Sequence, residues 1–219
     1  MFQSSEECVA FPSHPSFGKI FGFDQSSGQP ILPYPSMATP NDIVEIVKSY
    51  IGDSLIHNKE DLALLTARQV DDPNQVVQIT TNCGMFMLGV WWLAGVQHEL
   101  LKRPYKTGMA IAWVRQIAID LKALRTYPKD GPPVLGASMH YYTPGSNNNH
   151  VEFLLETPND KHVALHGGGG RDKNAIATGT GDITWSYQTT RKLMEWVDPE
   201  ALLVGSPEFH WNPTAPSHD

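Results

Sequence analysis

Two residue types in this chain could together perform nucleophilic chemistry: a cysteine at a helix start and a histidine at a strand start. Cys83 stands at the polar-to-apolar boundary of "TTNCGMFMLGVWWLAGV" (80–96), where Thr80, Thr81 and Asn82 mark the beginning of a helix. The thiolate is the reactive form of cysteine, and a free thiol is largely protonated at neutral pH. Unpaired N–H groups and the positive end of the helix dipole both favour the thiolate. The same amides can stabilise the oxyanion that forms when a carbonyl is attacked. Asn82 and Gly84 flank the sulfur, and Gly84 lets a substrate backbone come close. Without a partner, the plainer reading of Cys83 is a buried thiol filling core space.

A base within reach of the sulfur would change that reading. Of nine histidines, His14, His57, His98, His210 and His218 fall in loop-like or helix-end contexts and are expected at the surface. His140, His150, His162 and His166 lie in a strand-rich region. His150 opens a strand after the polar "PGSNNN" and would border a cleft; its plainer reading is a strand-edge histidine without a chemical role. "HVEFLLE" (150–156) and "HVALHG" (162–167) read as a hairpin. With Thr157-Pro158-Asn159 as its loop, Glu156 faces Asp160 and His150 lies opposite His166, with Cβ atoms about 5 Å apart. A two-residue loop would put the two rings on opposite faces. His162 falls about 13 Å along the strand and is expected at the rim. His166 is therefore the expected companion of His150, and the glycines after it, Gly167 first, form a flexible wall that admits a substrate backbone.

These side chains need a scaffold, and the chain supplies one in two parts. Residues 1–38, rich in Pro, Ser, Gly and Phe, read as an ordered, proline-stiffened extension; 39–205 read as the domain; 206–219 as a polar tail. Thr39-Pro40 caps a helix whose apolar residues recur at helical spacing up to Gly52. "KEDLALLTARQV" (59–70), the run after Cys83, and "GMAIAWVRQIAIDLKAL" (108–124) are further helices. Strands are expected at 134–142, 150–156, 162–167 and near "DITWSY" (182–187), with a last helix at "TTRKLMEWV" (189–197). Trp91, Trp92, Trp113, Trp185 and Trp196 are expected in the core. Helices first and antiparallel strands after define an α+β domain, with the apolar Cys83 helix buried at its centre.

Composition excludes several classes. A net charge of −7, with no Lys/Arg cluster interleaved with aromatics, argues against a nucleic-acid partner. The longest apolar stretch is too short to span a bilayer. Two cysteines do not make a disulfide framework, and no CxxC or HExxH pattern suggests a metal, so no cofactor is expected. "HGGGGRD" (166–172) lacks the order of a phosphate-binding loop. The first residues show neither a basic nor an apolar leader region, which suggests a cytoplasmic protein or one exported by a leaderless route.

Taken in order, "DIVEIVKSYIG", "NCGMFMLGVWWLAGV", "PPVLGASMHYYTPGSNNNHVEFLLE" and "HVALHGGGG" resemble the NlpC/P60 family of papain-like cysteine peptidases and amidases, with its CHAP relatives. The resemblance spans roughly residues 40–170. It implies a papain-like NlpC/P60 fold in which the Cys-bearing central helix packs on an antiparallel sheet. It implies Cys83 as nucleophile, His150 as general base and acid, and His166 as the polar residue orienting His150. It also implies a hydrolase that degrades cell wall by cutting amide bonds in peptidoglycan-type peptides. Where the family commonly has Asp-Cys-Ser-Gly, this chain has Asn82-Cys83-Gly84-Met85. Two other readings remain open from sequence: a thiol-dependent deamidase or acyltransferase acting on proteins or lipids, and a catalytically silent binding domain.

Overall fold

The computed structural model describes residues 22–23, 30–31, 38–52, 83–102, 110–143, 149–169 and 176–205. The expected helix at 59–70, the tail 206–219, Asn82, and His14, His57, His210 and His218 lie outside the described residues. The chain divides into two compact units, Met1–Ser36 and Met37–Asp219. In the first, β1 (Gly22–Phe23) pairs antiparallel with β2 (Pro30–Ile31).

The second unit opens with α1 (Pro40–Ser49). Pro40 presets the first helical φ, and Thr39 donates both its N–H (2.7 Å) and its hydroxyl (2.8 Å) to the Asp42 carboxylate. Ile43, Val44, Ile46 and Val47 bury one face. The helix gives way at Gly52, whose φ of +88° disfavours other residues and whose N–H donates to Ile176 O at 2.8 Å.

Next comes α2 (Cys83–Leu93), in which every residue from Cys83 to Trp91 is buried. A helix apolar all round belongs inside a core, and this one is its centre. Phe86 meets Tyr50 and Phe153 edge-on, each at 6.1 Å. At the far end, Trp91 Nε1 donates to Ser138 Oγ (3.0 Å). The short α3 (Glu99–Lys102) leads toward α4 (Ala110–Asp120), which crosses α2 so closely that a Cβ on Gly84 would lie 2.8 Å from Ala110 Cβ.

Six strands follow: β3 (Leu124–Thr126), β4 (Ser138–Tyr142), β5 (Asn149–Leu154), β6 (Val163–Gly169), β7 (Ile176–Asp182) and β8 (Lys192–Val197). They form one antiparallel sheet in the order β3-β8-β4-β5-β6-β7, and α5 (Pro199–Gly205) closes the described chain. One face, carrying Val151, Phe153 and Leu155, packs on the helices; the other buries Met139, Tyr141, Leu154, Ala164 and Trp196. Helices plus this sheet make the domain α+β.

Three expectations need correction. Residues 192–197 are a strand, not a helix: β8 is enclosed by β3 and β4, and a strand buried on both faces lacks the alternation that separates it from a short helix. "DITWSY" is mostly connection, since β7 ends at Asp182. Trp185 is 42% exposed rather than core, with Lys192 Nζ 5.0 Å from its ring centre.

The hairpin register also differs from the expected one. Phe153 pairs with Gly167 and Leu154 with His166, so His150 does not face His166. The turn is longer than three residues: Asn159 Oδ1 accepts the N–H groups of Lys161 (2.9 Å) and Val163 (3.0 Å), and His162 adopts φ +58°. The slip is four residues, an even number, so His150, Glu152 and His166 still share a face.

Candidate active site

The site lies where the start of α2 meets the end of β5. Along β5, Leu154 N–H donates to Ala137 O on the β4 side and Leu155 N–H to Leu165 O on the β6 side. Alternation therefore directs the Val151 N–H toward β6. The β5–β6 ladder stops at Phe153, and the Val151 N–H donates to the Cys83 sulfur instead. The Gly84 N–H, in the first turn of α2, also bonds the sulfur. Backbone amides at the start of β5 and of α2 thus receive the thiol.

His150 completes the pair. Its imidazole hydrogen-bonds Cys83. Burial alone pushes the thiol up, but the His150 hydrogen bond and charge, with the two amides, bring Cys83 below its ordinary value. Burial likewise disfavours the imidazolium, yet the bonds and charges of Cys83 and Glu152 outweigh it and raise His150 to about 9. A thiolate beside an imidazolium is the state that this arrangement favours.

Glu152 is the residue that sequence reasoning missed. Two positions after His150 on the same strand, it projects to the same face. His150 Nε2 lies 3.1 Å from Glu152 Oε1, which pairs the ring with the carboxylate. His166 Nδ1 lies 2.9 Å from Oε2, and the Ser186 hydroxyl donates to Oε1. The carboxylate has no exposure to solvent. Burial pushes it up, but its bonds to His150, His166 and Ser186 hold it below the usual range. His166 therefore meets the carboxylate that faces His150, not His150 itself. The signal was present as His-Val-Glu at the strand start, masked because Glu152 sits in the otherwise apolar "HVEFLLE".

The other candidates fall elsewhere. Gly84 is small because α4 is near: Ile111 N would lie 2.9 Å from an added Cβ, so its Cα serves helix packing while its N–H serves the sulfur. Gly167 is inside β6, between Phe153 and Thr178, where a Cβ would strike Leu155 Cδ1 at 2.5 Å. It is a sheet glycine packed on the core, not a flexible wall. His98 is half-buried, its Nε2 3.1 Å from Asp120 Oδ2 and its Nδ1 accepting the Leu100 N–H. His162 is exposed. His140 is buried on the helix side, 3.7 Å from Glu195, and burial lowers it to about 4. Cys83 is a free thiol.

Among the described residues no group of three or more His, Cys, Asp or Glu could hold a metal ion, and no helix is long and apolar enough to cross a membrane. Comparison with family models, with curated proteins and with solved structures finds no match.

Proposed function

We propose that this chain is a cysteine hydrolase with a papain-like arrangement of the NlpC/P60 type, cutting an amide bond in peptidoglycan-type peptides. The observation that carries the reading is the buried Cys83–His150–Glu152 array, in which charge favours thiolate and imidazolium together. The substrate class rests on the resemblance of the ordered motifs from 40 to 170.

In the reaction, the Cys83 thiolate attacks the carbonyl carbon while amides of the first helical turn receive the oxyanion. With Nε2 on Glu152, Nδ1 is the nitrogen that gives its proton to the leaving amine as the C–N bond breaks. Water then loses a proton to His150, its oxygen attacks the thioester, and the C–S bond breaks to restore the thiolate. Glu152 fixes the ring and balances its positive charge, as an orienting carboxylate does in other triads.

Purified sacculi and soluble muropeptides, each incubated with the wild type and with Cys83→Ala, test the proposal. New amine termini released by the wild type alone support it. Equal release by both proteins refutes the assignment, and ammonia release without peptide cleavage would redirect it to deamidation.

A further inference from the structure

We infer that Ser186 is a positioning residue, its hydroxyl holding the Glu152 carboxylate ionised and turned toward His150; the inference rests on the catalytic reading of Cys83 and His150 given above. Ser186 lies between β7 and β8, far in sequence from every motif that points to the site, and is buried. A serine hydroxyl has two acceptor positions and one proton. Both acceptor positions are taken, by the N–H groups of Gln188 (3.2 Å) and Thr189 (3.0 Å). Only the proton remains, and it goes to Glu152 Oε1, the oxygen that also faces His150.

The hydroxyl cannot easily turn away, because its loop is tied on both sides. Ser186 N–H donates to Arg191 O (3.1 Å), Leu193 N–H to Thr184 O (2.9 Å), and Tyr187 OH to Ala177 O (2.6 Å). His166 brings a second donor to the other carboxylate oxygen, but its ring also lies within reach of the Tyr141 hydroxyl (3.5 Å) and Gly181 O (3.3 Å). Ser186 is thus the donor whose direction its other bonds dictate, and its bond favours the carboxylate whichever tautomer His166 adopts.

The rate of Cys83 alkylation by iodoacetamide, followed against pH in the full chain and read by peptide mapping to separate Cys83 from Cys8, tests this. Ser186→Ala should move the midpoint for thiolate formation up by a fraction of one pH unit, because the lost hydrogen bond acts on Glu152 and reaches Cys83 only through His150. Ser186→Thr, which keeps the hydroxyl, should leave it in place. In a Glu152→Gln background, Ser186→Ala should add no further change. An unmoved midpoint in Ser186→Ala, or the same displacement in the Glu152→Gln background, overturns the inference while leaving the catalytic reading intact. A wild-type midpoint at the ordinary thiol value removes the catalytic reading, and the inference with it. If Ser186→Ala does not fold, NMR of hydroxyl-proton exchange in the unsubstituted chain decides. Slow exchange at Ser186 that is lost in Glu152→Leu, which has no acceptor, supports the role, and fast exchange in the unsubstituted chain overturns it.

Discussion

Replacing Glu152 by Gln keeps the shape of the side chain and removes its charge. His150 is raised from 6.5 to about 9 against the effect of its own burial, a preference for the imidazolium of about 3 kcal/mol. Cys83 and Glu152 supply that preference together through hydrogen bonds and charge. If Glu152 provides about half, its neutralisation should lower His150 by roughly one pH unit or more. The amide also fits the pocket poorly. Its oxygen can still accept from Ser186, but its NH2 then meets His166 Nδ1 and needs that ring in the tautomer with its lone pair there. Activity near neutral pH should fall about ten- to a hundredfold, through the lost orientation of the ring. Titration of the His150 ring by NMR is the direct assay. A His150 that still titrates near 9 in Glu152→Gln would show that the carboxylate does not hold the imidazolium, and the triad reasoning would fail.

Other outcomes follow from the same geometry. His166→Leu should lower activity and raise the pH of its acid limb, because Glu152 loses a donor, whereas His166→Asn, which keeps an N–H near the Nδ1 position, should restore much of both. Gly84→Ala should destabilise the fold by about 1–3 kcal/mol, measured by denaturant titration, because the new methyl meets Ala110 and Ile111 in a packed crossing. Stability should fall with acid and stay nearly level from neutrality to about pH 9. The contribution of His150 is lost as pH rises from 6.5 through about 9, but that of Cys83, lowered in the fold, grows over the range up to its ordinary 9.0 and offsets it. On the acid side, His140 is held neutral, so stability falls between 6.5 and about 4, and the depressed Glu152 adds a further loss below its ordinary value of 4.5. His140→Gln should flatten the first part of that acid slope, and an unchanged slope would deny His140 this role.

Much of the scaffold was legible because local chemistry and burial agree. Thr39-Pro40 announces α1, and an apolar run too short for a membrane announces a buried α2. The less legible parts depend on partners distant in sequence. Residues 192–197 carry few alternation cues because β8 is covered on both faces by the rest of the fold. The hairpin register turned on how many residues Asn159 would gather into the turn, which a Thr-Pro-Asn sequence does not dictate. That four-residue slip moved His166 from His150 to Glu152. Cys83 and His150 could be picked out because their positions at element starts carry chemical meaning on their own. Glu152 and Ser186 could not, since a carboxylate in an apolar strand and a serine in a loop become informative only when the fold brings them together.

The proposed chemistry depends on Cys83 being a thiolate beside a charged His150, and ultraviolet titration of that thiolate measures this most directly. The difference in absorbance between the wild type and Cys83→Ser should appear below the pH at which an ordinary thiol ionises, and His150→Ala should move it upward. A wild-type thiol that ionises at or above its ordinary value, indifferent to His150, would contradict the account.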